Sequence, residues 1–145
     1  MIGLLQRVTQ ARVSVDGQVV GEIGPGLLGL IGVQAGDGPA NARRLAERLV
    51  SYRVFADRDG KMNLCLRDTG GGLLLVPQFT LAADTHKGNR PSFSTAAEPE
   101  QARRLFEELV AAARALHPRV ATGRFGAEMC VALENHGPVT FWLDA

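Results

Sequence analysis

Two short stretches of this 145-residue chain carry residue types suited to acyl chemistry: PQFTLAADT, which begins at Pro77, and NHGPVTF, which begins at Asn135. Proline cannot donate to a β-ladder, so the backbone after Pro77 is expected to leave its strand and turn the amides of Phe79 and Thr80 outward. Two adjacent free amides can stabilise an oxyanion, each contributing about 10² to 10³ in rate. The alternative is a bulged strand end whose amides bind water or a side chain.

The second stretch places the stiff step Gly137-Pro138 between two apolar runs, MCVAL and VTFWL. Such a step is most often a plain turn, because an X-Pro bond is cis in only about 5–6% of cases in folded proteins. The residues alone therefore leave two interpretations open. Gly137-Pro138 either turns the chain or presents its backbone to a ligand.

Other familiar signals do not support metal, nucleotide or serine-hydrolase sites. GPGLLG (residues 24–29) has the letters of a dinucleotide fingerprint, but it leads into a strand, so no helix terminus meets a pyrophosphate. His86, His117 and His136 lack the spacing of metal ligands. No GxSxG elbow occurs. We therefore expect neither a metal nor a cofactor.

Composition indicates one domain over residues 1–145, since 46% of the residues are hydrophobic and no linker or repeat interrupts the chain. The start of the sequence resembles neither a signal peptide nor a membrane span, so we expect a cytoplasmic protein with no membrane partner.

Cys65 and Cys130 have no CxxC spacing and are expected to be reduced thiols. The net charge of +1 does not by itself indicate a nucleic-acid binder, but it leaves room for a local basic patch.

The chemistry-bearing stretches must be positioned by a sheet. Asp16-Gly17 and Asp59-Gly60 lie between alternating runs and predict two hairpins. The apolar run 26–33 predicts a buried strand, and GGGLLLVPQFTL predicts a second one that the proline interrupts or confines to an edge. Apolar stripes predict helices that start near Pro39 and Pro99. The tail predicts three short strands, at about 119–122, 128–133 and 139–143. We expect an α+β fold: a curved, barrel-like, mostly antiparallel sheet with two main covering helices.

At PQFTL and NHGPVT the sequence resembles the D-aminoacyl-tRNA deacylase family. The first motif of that family is usually Ser-Gln-Phe-Thr-Leu, and the second is Asn-x-Gly-Pro-Val-Thr. The likeness extends through MIGLLQRVTQA, GEIGPGLLGLIGV, DGKMNL, AADTHKGNRPSFS and TGRFGAEM, so it covers essentially the whole chain.

The resemblance implies an enzyme without a cofactor that hydrolyses the ester between a D-amino acid, or glycine, and the terminal adenosine of tRNA. It also implies a homodimer with its active sites at the subunit interface. There a cis Gly137-Pro138 peptide enters the other subunit's pocket and rejects L-aminoacyl groups by collision. The amides of Phe79 and Thr80 would be the catalytic donors, and Gln78 and Phe79 would shape the adenosine side of the pocket.

Two residues keep alternative roles at this point. Thr80 could act through its hydroxyl or through its amide alone; with no base evident beside it, we favour the amide and a water assisted by the ribose 2′-hydroxyl of the substrate. Arg7 matches the arginine that this family is thought to use to orient the Gly-Pro peptide, and the alternative is an ordinary surface arginine.

The sequence departs from the family at Pro77, which replaces the usual serine, so no hydroxyl role carries over to that position. A related animal branch, which removes L-alanine and has a trans Gly-Pro, also begins its first motif with Pro-Gln. That branch has alanine in place of Phe79 and lacks the arginine at Arg7. The two residues therefore indicate the D-specific group.

Two other classes of function compete with the deacylase: a non-catalytic protein that binds the tRNA acceptor end and protects the ester, and a dimeric interaction module. Binding of tRNA would have to rest on a local basic patch, weak and salt-sensitive. The candidates for that patch are Arg43, Arg44, Arg48, Lys87 and Arg90.

Overall fold

The computed structural model describes residues 1–145, and strands precede and follow each of the two long helices. The strands are β1 (Ile2–Val15), β2 (Gln18–Ile23), β3 (Gly26–Gly32), β4 (Phe55–Ala56), β5 (Met62–Leu64), β6 (Gly72–Pro77), β7 (Val120–Thr122) and β8 (Cys130–Asp144). The helices are α1 (Pro39–Ser51), α2 (Leu66–Thr69) and α3 (Pro99–Leu116), with a 3₁₀ helix at Phe79–Ala82.

The main sheet is organised by the 14-residue strand β1. One edge of β1 pairs with β3 and then with β2, and its other edge pairs with β8. All three pairings are antiparallel, whereas β3–β6 and β6–β7 are parallel. The sheet is thus mostly antiparallel by pairing, as predicted, but it is a mixed sheet. Its parallel part requires long crossovers, and α1 and α3 lie within these connections.

The sheet curves until its outer strands β2 and β7 nearly meet. A Cβ added to Gly21 of β2 would lie 2.3 Å from the carbonyl oxygen of Thr122 in β7, so only glycine allows this approach. The two predicted hairpins are present. In the first, Asp16 (φ 51°) and Gly17 (φ 78°) form the two-residue turn between β1 and β2, the φ > 0 pair that such turns require.

Both predicted helices begin at their prolines, where a missing N–H costs nothing. Their apolar stripes are buried, as the sequence periodicity indicates. The buried residues are Ala42, Leu45, Ala46, Leu49 and Val50 in α1, and Ala102, Leu105, Phe106, Leu109, Val110 and Ala113 in α3. These stripes and one face of the sheet form the larger core of 22 buried residues. None of the helices combines the length and the hydropathy that a membrane-spanning helix requires.

A second core of 6 buried residues fills the inside of the barrel. It consists of Val8, Ala11, Val13, Leu28, Leu74 and Val76, which come from β1, β3 and β6. The sheet is therefore buried on both faces where these strands pass between the two cores, which explains the continuous apolar runs of β3 and β6.

The C-terminal segment has fewer strands than the sequence predicted. The strand predicted at about 119–122 is present as β7, but the two predicted after it form a single strand, β8, which runs through Gly137-Pro138 without ending. Val8 pairs with Asn135 and Gln6 with Thr140, so residues 136–139 of β8 lie opposite the single residue Arg7. Gly137-Pro138 therefore lies at the centre of a bulge in which four residues oppose one, rather than in a turn between strands.

Candidate active site

The first motif lies where β6 ends. Pro77 pairs with Ile31 as the last residue of β6, beyond Leu75, the last residue that pairs with β7. The missing N–H of Pro77 therefore removes no bond to β7. The amide of Gln78 makes the final ladder bond, to the carbonyl of Ile31 at 2.7 Å, and the chain then enters the 3₁₀ helix.

The amides of Phe79 and Thr80 open that helix and have no acceptor within the chain. The first hydrogen bonds of the 3₁₀ turn are donated by later amides, Leu81 N to Gln78 O and Ala83 N to Thr80 O, both at 3.2 Å. Phe79 and Thr80 are exposed. The predicted departure from the ladder and the two free adjacent amides are thus present. Both amides are therefore free to donate hydrogen bonds to an external acceptor.

The hydroxyl of Thr80 accepts a hydrogen bond from Gln78 Nε2 at 2.5 Å. No carboxylate or imidazole is hydrogen-bonded to this hydroxyl, so it lacks the base that activates a threonine nucleophile. The geometry favours the amide of Thr80 over its hydroxyl as the reactive feature.

A cavity of 440 Å³ opens beside these residues. Its wall is mainly apolar and includes Gln78, Phe79, Phe106, Phe125 and Met129. A mostly apolar wall with a few polar groups at one side is typical of small-ligand pockets. No group of three or more His, Cys, Asp and Glu side chains is arranged to hold a metal ion.

The second motif is held by Arg7, whose guanidinium joins the bulge to a different part of the chain. Nε of Arg7 donates to the carbonyl of His136 at 3.0 Å, and Nη1 donates to the carbonyl of Val54 at 2.6 Å. The Gly137-Pro138 peptide is cis, the geometry that the resemblance implied. Arg7 therefore contacts the bulge directly, although its role in function stays a prediction.

Sequence reasoning missed the side chain of Asn135, which closes the bulge from inside. Its Oδ1 accepts from the amide of Val139 at 2.7 Å, and its Nδ2 donates to Thr140 Oγ1 at 2.9 Å and to the carbonyl of Val139 at 3.3 Å. An asparagine two residues before Gly-Pro was a usable signal, because asparagine side chains often bond backbone groups of nearby turns.

The two motifs do not meet within one chain. Pro77 is level with Ile31, which pairs with Gly3, whereas the bulge is level with Arg7. Four residues of β1 separate these levels, about 13 Å along the strand, and three strand spacings, roughly 14 Å, separate β6 from β8 across the sheet. Neither Gly137 nor Pro138 borders the cavity beside Gln78 and Phe79.

Comparison with known proteins places the chain in a sequence family. A sequence model of the D-Tyr-tRNA(Tyr) deacylase family matches residues 4–144. The chain belongs to this family. Two similar relatives are a D-aminoacyl-tRNA deacylase of Thioalkalivibrio sulfidiphilus, 65% identical over 99% of this chain and 97% of the relative, and one of Xanthomonas campestris, 66% identical over 99% of both.

Two solved structures are similar to this chain in fold. A structure described as c-Myc DNA unwinding element binding protein is 34% identical, covers 100% of this chain and 99% of that chain, and has a TM-score of 0.95. A probable eukaryotic D-amino acid tRNA deacylase is 17% identical with a TM-score of 0.88 over 99% of this chain and 98% of that chain, which shows the shared fold alone.

The predicted basic patch divides into two parts in this member of the deacylase family. The arginines of α1 are engaged: Arg43 pairs with Glu108 at 2.5 Å, Arg44 pairs with Glu47 at 3.4 Å, and Arg48 donates to the carbonyl of Asp144. Lys87 and Arg90 are exposed and take part in no ion pair.

Proposed function

We propose that this protein hydrolyses the ester between a D-amino acid, or glycine, and the terminal adenosine of tRNA, and that it excludes L-aminoacyl esters. The observation that carries this proposal is the pair of unpartnered amides of Phe79 and Thr80 beside the cavity, in a chain of the deacylase family. We place the activity in the cytoplasm, where aminoacyl-tRNA is used.

The proposed reaction is attack of water on the ester carbonyl. The carbonyl oxygen becomes an oxyanion that accepts hydrogen bonds from the amides of Phe79 and Thr80, and the ester bond then breaks as the leaving ribose oxygen takes a proton. The absence of a base at the Thr80 hydroxyl supports a water assisted by the neighbouring ribose hydroxyl of the substrate rather than a covalent intermediate.

Exclusion of L-esters is assigned to the backbone of Gly137 and Pro138. If the ester and the α-amino group are fixed, a D-residue directs its side chain out of the site and an L-residue directs it into this backbone. A backbone held by Arg7 and Asn135 is stiff enough to reject by collision. Rejection by a factor of 10⁴ requires about 5.5 kcal/mol. Glycine has no side chain to collide and passes the filter.

A complete site requires a second copy of the chain, because one chain holds its two motifs apart. The free edge of β8 supports this part of the proposal, since β8 spans 15 residues and pairs only with β1. Leu133 and Trp142 of this strand are exposed, at 38% and 51%. An unpaired edge with exposed apolar side chains is a surface that a second subunit can cover. We propose a homodimer in which each bulge completes the site of the other subunit.

The test removes one amide. Phe79→Pro deletes the N–H at the first position of the 3₁₀ helix, where proline is tolerated. The preceding Gln78 has a φ of −138°, which a following proline allows, and a ψ of 76°, below the range usual before proline, so folding of this variant is checked by urea unfolding. Phe79→Ala deletes the same ring and keeps the amide, so it is the matched control.

We expect hydrolysis of D-tyrosyl-tRNA by Phe79→Pro to be slower than that by Phe79→Ala by about 10² to 10³. Equal rates for the two variants would remove the amide from the mechanism. If the wild type leaves D-tyrosyl-tRNA to its spontaneous decay, the protein is not a deacylase, and binding of the acceptor end without cleavage becomes the better account.

A further inference from the structure

Two large aromatic rings lie exposed next to the candidate site. Phe79 is 58% exposed and Phe93 is 42% exposed, and the two rings contact each other with their centroids 5.1 Å apart and their planes at 48°. Phe79 borders the cavity, and Phe93 does not. The pair therefore continues the apolar wall of the cavity out onto the surface of the protein.

Phe93 is held in place by the base of a long loop. Asp84 and Ser92 exchange two backbone hydrogen bonds, of 2.8 and 3.0 Å, and so close the loop between them. On the other side of Phe93, the hydroxyl of Thr95 donates to the carbonyl of Ala82 at 2.5 Å. These bonds tie the backbone around Phe93 to the 3₁₀ helix that carries Phe79. Hydrogen bonds therefore fix the backbone on both sides of Phe93 next to the 3₁₀ helix of Phe79.

The same loop carries Lys87 and Arg90, which are exposed and form no ion pair. The loop has one carboxylate, that of Asp84, and it accepts from the amide of His86 at 2.9 Å and contacts the His86 ring at 2.7 Å. The hydrogen bond from the backbone N–H of His86 lowers the pKa of Asp84, and the hydrogen bond to the His86 ring lowers it further. Arg90 stands three residues before Phe93, so their Cα atoms are at most about 11 Å apart.

Exposed aromatic rings beside unpaired cations are the means by which proteins bind single-stranded nucleic acid, with bases stacked on the rings and phosphates near the cations. We propose that Phe93 and Phe79, together with Lys87 and Arg90, form a platform for the single-stranded nucleotides that precede the terminal adenosine of tRNA. This inference rests on the proposed function, since the cavity beside Phe79 would receive the adenosine itself.

The test compares two substrates, D-tyrosyl-tRNA and the D-tyrosyl ester of adenosine, which lacks the preceding nucleotides. We expect Phe93→Ala to lower kcat/KM for the tRNA ester by about 5- to 150-fold, the loss of one stacked base, and to leave kcat/KM for the adenosine ester unchanged. Phe93→Trp should restore the tRNA activity. Equal losses on both substrates would mean that Phe93 acts only by packing on Phe79, which overturns the platform.

The cations are tested by the salt dependence of KM for D-tyrosyl-tRNA. The double variant Lys87→Ala/Arg90→Ala should reduce the slope of log KM against log salt by about 1.4, the value for two phosphate contacts on a single strand. The control is Arg114→Ala/Arg119→Ala, which removes the same charge from the end of α3 and the segment before β7, away from the first motif. An equal change of slope in both variants would show a general charge effect and refute the platform.

Failure of the proposed function is distinguishable from failure of this inference. If the wild type hydrolyses neither ester, the deacylase proposal fails. The platform is then judged by fluorescence anisotropy with a labelled single-stranded oligoribonucleotide of the tRNA 3′ sequence. Weaker binding by Phe93→Ala supports the platform, and unchanged binding overturns it.

Discussion

Replacing Arg7 by alanine should weaken the exclusion of L-esters. The change removes the bond from Arg7 Nε to the carbonyl of His136, 3.0 Å long, and the bond from Nη1 to the carbonyl of Val54, 2.6 Å long. A hydrogen bond from a charged donor contributes about 1.5–3 kcal/mol. Only the hydrogen bond to His136 restrains the bulge directly, so the bulge loses about 1.5–3 kcal/mol of stabilisation.

The lost stabilisation of the bulge can be converted to a change in the ratio of D- to L-ester hydrolysis rates. At 1.4 kcal/mol for each factor of ten, the preference for D- over L-tyrosyl-tRNA should fall by about 10- to 150-fold. Decay of the two esters is measured side by side against spontaneous hydrolysis. The D/L preference of Arg7→Lys should lie between those of the wild type and Arg7→Ala. A single ammonium group cannot reproduce a guanidinium that donates to two carbonyls. Arg12→Ala removes an exposed arginine from the same strand and should keep the preference.

The reasoning is refuted if Arg7→Ala folds and still discriminates like the wild type. Folding is checked by urea unfolding, since a half-buried arginine with two backbone acceptors also contributes to stability. A variant that loses hydrolysis of the D-ester and gains none of the L-ester would instead place Arg7 in the general support of the site and outside the filter.

Four further outcomes follow from the same geometry. Thr80→Val should hydrolyse D-tyrosyl-tRNA at a rate close to that of the wild type, because it keeps the amide; a loss of about 10⁶, typical of a removed nucleophile, would reverse this assignment. Gly137→Ala should lose activity, because Gly137 has φ +138° and its added Cβ would lie 2.7 Å from Val139 Cγ2. Asn135→Ala should lower the free energy of unfolding by about 1–3 kcal/mol and loosen the filter, as read by denaturation and by the D/L ratio. Mixed subunits of Phe79→Pro and Gly137→Ala should recover about a quarter of the wild-type activity if the site is shared across a two-fold dimer, and none if each chain holds a whole site.

Much of the fold was predictable because local signals agreed with it. The Asp16-Gly17 turn, the helices that begin at Pro39 and Pro99 and the buried runs of β3 and β6 all follow from periodicity and turn chemistry. The single strand β8 was not predictable, because a Gly-Pro step usually ends a strand. Its continuation depends on Arg7 and Asn135, and the pairing with β1 is long-range.

The candidate site was predictable in part. The free amides of Phe79 and Thr80 follow from Pro77 at a strand end, a local feature. Three features could not be inferred from sequence spacing. The carbonyl of Val54 accepts from Arg7, the ring of Phe93 packs on Phe79, and Arg43 and Arg48 of α1 are engaged by Glu108 and by the carbonyl of Asp144.

The chemical groups and their local backbone follow from the order of the residues: a proline that ends a strand before two amides, a Gly-Pro step after an asparagine, and a polar loop with two cations. Their positions relative to one another depend on the folded sheet. The register of β1 with β3 and β8 holds the first motif and the bulge at different levels of one sheet. Register is set by packing on both faces of β1, which a sequence read along one strand does not contain.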